Sequence, residues 1–294
     1  MQPLISLAAL ERAFSPERLR AYRLPSDADE TDGLARYLWN LALADAIQPA
    51  LHVLEVAFRN EISRAAAKLT SGRRYAFDRI PSWLDAKPSM LLEHEQAKVA
   101  RAKEQLGTDP RSQTEGHLIA KLDFGFWVAL CRHPYADWRA SGPRLWPRTL
   151  ELAFRARPAA ATTQSHILHR FDPVRRFRNR VAHHEPVWDR DYLRQHDYIL
   201  ESIGWMSPKL AEATRVLSPA VRAYERGAEA FRPHAEVLLG TGEGTAAFFQ
   251  SRLASLDCRA RSLVAWLVDA FVESGEEEPR TVAARWAERV AQAA

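Results

Sequence analysis

Apolar residues along most of the chain recur in steps of three and four, the spacing of one helix face, and no stretch alternates with the period of two expected of a half-buried strand. From Leu34 the pattern runs through Tyr37, Leu38 and Leu41 and, after Pro49, through Leu51, Leu54, Phe58 and Ile62 as one buried stripe. Thr31 and Asp32 are suited to cap this helix, and Pro49, which lacks an N–H, is expected to kink or divide it. A connector with Pro81 and Pro88 leads to a polar helix over about 89–106. Residues 113–132 are apolar nearly all round and predict the central core helix, with Gly125 letting another backbone come close. Residues 134–149, rich in Pro and Trp, read as a loop into a helix near 147–157. The next predicted helix starts at Thr162 or Thr163 and ends near His184, because Pro186 biases Glu185 away from helical dihedrals. Another spans about 189–205.

After Ser207-Pro208 the character changes. Residues 208–232 predict a helix interrupted near Pro219. GTGEGT at 240–245 reads as a hinge, because it lacks the Gly-Lys-Ser/Thr ending of a phosphate loop and follows no strand. Two amphipathic helices are expected over about 246–273 and 279–292. The expected fold class is therefore all-α, in two parts: residues 1–207, and a C-terminal helical extension of unassigned role, residues 208–294.

Hydrophobic residues make up 47% of the chain and nine are Trp, enough for a substantial core, which excludes a disordered protein. Two cysteines, Cys131 and Cys258, are too few for a disulfide framework and fit a reducing compartment as small apolar side chains. The start, MQPLISLAALERAF, lacks the basic opening of a secretion signal. No stretch approaches the roughly 20 apolar residues of a spanning helix, so the expected location is cytoplasmic, away from any membrane. The net charge of +4 is unevenly spread: residues 132–190 hold twelve Arg, no Lys and five acids, a local balance of +7 that leaves −3 for the rest. A planar guanidinium pairs bidentately with phosphate, whereas an ammonium is a point charge. A phosphate-bearing partner and a merely solvated surface both account for such a segment.

The chemistry concentrates in residues 171–186, FDPVRRFRNRVAHHEP. Ile167, Phe171, Val174, Phe177 and Val181 form the apolar stripe of this helix. With Asn179 at zero and about 100° per residue, Arg175 falls at about −40°, His183 at about +40° and Arg176 at about +60°, on the opposite face. Arg178 lies on the flank at about −100°. Arg178 and His183 therefore converge only if the helix ends around His183, or if a second copy of the chain supplies one of them.

These residue types suit RNA cleavage. A proton must leave the 2′-hydroxyl and another must reach the departing 5′-oxygen, and histidine does either near neutral pH. Charge gathering on phosphorus needs a fixed cation, and Arg178 cannot lose its proton. Asn179, one turn before His183, is placed to fix the imidazole tautomer by hydrogen bonding, and Arg175, Arg176 and Arg180 to hold flanking phosphates.

Arg178-Asn179-x-x-x-His183 resembles the Arg-x(4–6)-His motif of the HEPN superfamily, and RNRVAHHEPVW at 178–188 resembles its Abi-like (abortive-infection) branch. SPERLRAY at 15–22, YLWNLAL at 37–43, LEVAFRNEI at 54–62 and KLDFGFWVAL at 121–130 are similar to blocks of that branch, so the resemblance covers about residues 10–205. It implies a HEPN-like helical bundle that often forms a homodimer, two motifs facing each other to make one RNA-cleaving site. It also implies a metal-independent endoribonuclease, without cofactor, acting in phage defence or as a toxin, with an antitoxin or sensor as a further partner. Arg178, Asn179 and His183 match the motif, and His184 fits a spacing one residue longer.

Other readings stay open. Arg178 and His183 also suit a helix-terminal ion pair or cap. His166, His169, His183, His184 and Glu185 show no repeated ligand spacing, so no metal is expected. Glu55 and Arg59, four apart with His52 nearby, form an intrahelical ion pair or border the RNA site. Phe124, Phe126 and Trp127 belong to the core, and Trp188 and Trp205 either pack or stack on bases. The rival functional reading is a non-catalytic RNA-binding or partner-binding helical module of a defence system.

Overall fold

A computed structural model describes residues 6–69, 74–75, 82–87, 89–107, 109, 111, 114–136 and 145–240. The helices expected over 246–273 and 279–292, the connector prolines, Cys258 and nearly all of the GTGEGT stretch lie outside them. The described residues are mostly helical: α1 (Leu7–Phe14), α2 (Pro16–Arg20), α3 (Glu30–Leu69), α4 (Glu93–Leu106), α5 (Glu115–Lys121), α6 (Phe124–Ala129), α7 (Arg148–Ala153), α8 (Gln164–Ala182), α9 (Tyr192–Met206), α10 (Pro208–Leu217), α11 (Ala220–Glu225) and α12 (Arg232–Leu239). One antiparallel pair of two-residue strands, β1 (Arg74–Tyr75) and β2 (Ala86–Lys87), is added.

Contacts divide the described residues differently from the boundary drawn at 207. One unit comprises residues 42–225, and the other the residues up to 41 together with those from 226 on. The physical reason lies at Ser207, which ends α9 and begins α10, its hydroxyl accepting from Leu210 N–H at 3.3 Å and Pro208 occupying the first helical position. α10 folds back along α9, close enough that a Cβ on Gly204 would touch the Ala211 methyl at 3.7 Å. Buried His196 of α9 shares a 2.9 Å hydrogen bond with Ser218, just after α10, and desolvation lowers its pKa.

In the smaller unit Tyr22 is buried edge-on against Tyr37 at 5.1 Å, and Asn40 donates to its hydroxyl at 3.1 Å. Asp29, rather than Thr31 or Asp32, caps α3 by accepting from Thr31 N–H at 2.8 Å, while Asp32 accepts from Ala28 N–H at 2.9 Å. Arg232 pairs with Asp29, Asp32 and Glu236.

Three sequence expectations need correction in the larger unit. α3 runs through Pro49 without dividing, because Ile47, Ala50, Leu51 and Leu54 around it are all buried and packing outweighs the missing hydrogen bond. α3 also contains an 18-residue window long and apolar enough to cross a membrane, where none was expected; Leu43, Ile47, Leu51, Leu54, Phe58 and Ile62 of this helix are buried in the protein. Finally, the core helix expected over 113–132 is two helices. Asp123 interrupts it, its carboxylate accepting from Phe126 N–H at 2.6 Å to start α6 afresh. A Cβ on Gly125 would meet that carboxylate at 3.1 Å and the Arg175 stem at 4.0 Å, so side chains rather than a backbone approach there.

The core of this unit is aromatic. Phe58 of α3 stacks on Phe171 of α8 at 4.3 Å, with Phe124 at 5.6 Å and Phe154 at 5.9 Å from Phe58. Cys131 is fully buried, and burial raises its thiol pKa, which makes it apolar packing rather than a nucleophile.

Candidate functional site

α8 carries the predicted site, and its position follows from its two halves. Ile167, Phe171, Val174, Phe177 and Val181 are buried, as their spacing predicts. At the start of α8, Thr163 N–H donates to His166 Nδ1 at 3.2 Å, a reciprocal cap. Pro173 then removes the N–H that the His169 carbonyl would accept, and Tyr198 of α9 replaces it, its hydroxyl donating to that carbonyl at 3.3 Å. The Tyr198 ring lies 3.7 Å from the Arg170 guanidinium carbon, with the Trp205 ring at 5.3 Å on the same cation. Arg170 Nε donates to Ser202 at 2.9 Å, and Nη2 to the Tyr198 carbonyl at 3.0 Å and to Glu201 at 2.6 Å. Trp205 also meets Phe171 edge-on at 6.5 Å, so it packs.

The Phe58–Phe171 stack fixes α8 against α3. Glu55 and Phe58, three apart, share a face of α3, and Phe171 and Arg178, seven apart, share a face of α8. Arg178 Nε therefore meets Glu55 Oε2 at 3.3 Å, with side-chain exposures of 36% and 20%. The expected intrahelical pair of Glu55 with Arg59 is not formed; Arg59 Nε is buried without a hydrogen-bond partner among the described residues. A half-exposed pair of this kind contributes about 1 kcal/mol at most. Its effect is orientation: the contact at Nε holds one edge of the guanidinium and leaves the terminal nitrogens for an anion. His52, one turn earlier on α3, is exposed.

The other arginines do not form the open phosphate cradle expected of them. Arg175 and Arg176 both pair with Asp172, at 2.8 and 3.1 Å. Arg180 pairs with Glu185 at 3.2 Å, and its Nε donates to the Pro186 carbonyl at 3.2 Å, bracing the chain beyond the helix. Of these three, Arg176 stands clearest of the protein, its side chain 69% exposed.

The helix stops at Ala182, before Pro186 can act. His183 is the C-cap, its N–H donating to the Asn179 carbonyl at 2.8 Å. His184 N–H donates to the Val181 carbonyl at 3.1 Å and Glu185 N–H to the Arg180 carbonyl at 2.9 Å, the crossed pattern of a Schellman turn. The first of these two residues must be left-handed, and His184 has φ +56°. Glycine ordinarily fills this position; a side chain there costs about 1–2 kcal/mol. Both imidazoles are on exposed residues at the helix tip. The half-buried Asn179 amide makes no hydrogen bond to the His183 ring among the described residues, so the orienting contact expected of it is not made. An end at Ala182 meets the condition under which His183 escapes ideal helical spacing from Arg178.

Among the described residues no three His, Cys, Asp or Glu side chains are grouped to hold a metal ion. His166 serves the cap, and His169 Nδ1 lies 2.9 Å from the Ser165 carbonyl. Comparison with protein families, with curated proteins and with solved structures found no match.

Proposed function

We propose that this chain is a metal-independent endoribonuclease of the HEPN kind, acting in phage defence or as a toxin in the cytoplasm. Its site is completed across a homodimer. The reading rests on one juxtaposition: a helix that ends in exposed His183 carries, one turn and a half earlier, Arg178 tethered through Nε to Glu55 of another helix. An imidazole open to solvent supplies proton transfer to or from the ribose and leaving oxygens, and a pre-oriented guanidinium supplies charge at the phosphorane. Arg175 and Arg180, braced by Asp172 and Glu185, support the site more than they bind.

Incubation of the purified full chain with single-stranded RNA in EDTA tests this. Cleavage should leave a 2′,3′-cyclic phosphate, and Arg178→Ala and His183→Ala should each lower the rate about 100- to 1,000-fold. An inert wild-type protein, or full activity in both variants, overturns it.

A further inference from the structure

α10 turns one side to α9 and an apolar stripe to solvent. Its inner side is marked by Thr214, which is buried, and by Ala211, whose methyl faces Gly204 of α9. With Leu210 at zero and about 100° per residue, Thr214 falls at about +40° and Ala211 at about +100°, so the outward direction lies near about −110°. Val216 at about −120° and Ala213 at about −60° stand on that outward side, with Leu217 at about −20° and Leu210 along one edge. Val216 and Leu217 are each 78% exposed and Leu210 is 37% exposed, and Ala213 is exposed with them. Single apolar residues on a surface are ordinary, but four on one ten-residue helix make a contiguous stripe. The other edge is charged, with Glu212 at about −160° and Arg215 at about +140°. Glu212 is exposed and makes no ion pair among the described residues. Arg215 touches Asp197 of α9 through Nη1 alone, at 3.3 Å and with both side chains more than half exposed, which leaves its other terminal nitrogen for a second carboxylate.

We infer that α10 is the surface through which two copies of this chain join, the two helices antiparallel about a two-fold axis between residues 213 and 214. In that register Leu210 meets the partner's Leu217 along one edge, and Glu212 meets the partner's Arg215 along the other. The two-fold repeats each contact, and Val216 and Ala213 close over the middle. Moving the axis by half a residue either way loses both matches, because Glu212 then meets the partner's Thr214 or the partner's Val216, and Leu217 the partner's Lys209 or the partner's Ala211. A helix that complements itself in charge and in apolar residues at one register fits a second copy better than a foreign partner. The inference goes beyond the ribonuclease reading and stands whether or not the chain cuts RNA, since α10 lies outside residues 10–205. α10 is about 15 Å long, so a contact of this kind falls at the low end of specific interfaces, about 1,200 Å² or less in total. The dimer should therefore come apart on dilution.

Sedimentation velocity on the full chain, from about 2 to 200 μM, tests this. Wild type should pass from monomer to dimer with a midpoint of about tens of micromolar. Leu217→Glu should weaken association at least about 10-fold while leaving the urea midpoint unchanged, because the side chain it replaces is already in solvent. Glu212→Arg and Arg215→Glu, which set like charges against each other twice, should each weaken it about fivefold. The two together should return association to within about twofold of wild type, which a merely sticky patch would not do. A wild type that stays monomeric at the highest concentration overturns the inference. So does a dimer indifferent to Leu217→Glu, which would join through another surface, and so do single charge variants without effect or a double variant no better than the singles. No RNA is present, so failure here leaves the ribonuclease reading to its own experiment.

Discussion

The two halves of α8 hold the same residue types and use them in opposite ways. In the first half His166 caps the helix, His169 lies against the Ser165 carbonyl, and Arg170 is enclosed by Tyr198, Trp205, Ser202 and Glu201. At the far end His183, the C-cap, is exposed, and Arg178 of the second half is held by a single carboxylate. His166 and Arg170 are thus tied into the fold at one end, whereas His183 and Arg178 remain in part open to solvent at the other. What separates them is occupancy of their polar atoms, not their identity. A cation whose donors are already taken has little left for a substrate.

Three substitutions sharpen or break this contrast. Arg170→Ala should have the largest effect on the fold, about 2–3 kcal/mol lost in urea unfolding, because hydrogen bonds to a charged group and the ring contacts go together. Cleavage per folded molecule should not change; if it falls with stability intact, the first half is not merely structural. Glu55→Gln keeps the shape but removes the charge that orients Arg178. RNA cleavage should fall about 10-fold, with Tm nearly constant, since misplaced catalytic groups act on rate and a half-exposed ion pair contributes little stability. An unchanged rate would show that Arg178 needs no tether. Smallest is Tyr198→Phe, which deletes the donor to the His169 carbonyl and should lower stability by about 1 kcal/mol. Hydrogen exchange around 169–173 should rise in that variant, and no rise would mean the carbonyl tolerates being unpaired.

The apolar stripe of α8 was legible because its five buried residues repeat at helical spacing, and its start because the capping residue Thr163 precedes it. The same signals placed α4 and α9 and the break at Pro219. They failed where a local signal was outweighed from outside. Pro49 does not divide α3, because buried neighbours hold the helix on both sides. Asp123 does divide the apolar run before it, because a carboxylate at a helix start outweighs the hydrophobicity around it. For the candidate site, Arg178, His183 and His184 stood out in the sequence through their residue types and the motif they resemble. The partner of Arg178 was not, since Glu55 lies on another helix and competes in sequence with the nearer Arg59. A left-handed histidine gives no pattern at all, because such turns are anticipated from glycine or asparagine.

The hydrogen bond from Tyr198 to the His169 carbonyl makes α8 dependent on α9. Pro173 leaves α8 with a gap in its own ladder, and another helix mends it. A peptide cut out as residues 163–185 would lack that repair and fray about its middle, however well its caps were kept. The stretch bearing Arg178, His183 and His184 is thus a borrowed helix. Whatever pries α9 loose would slacken that tip before any of its own residues were touched.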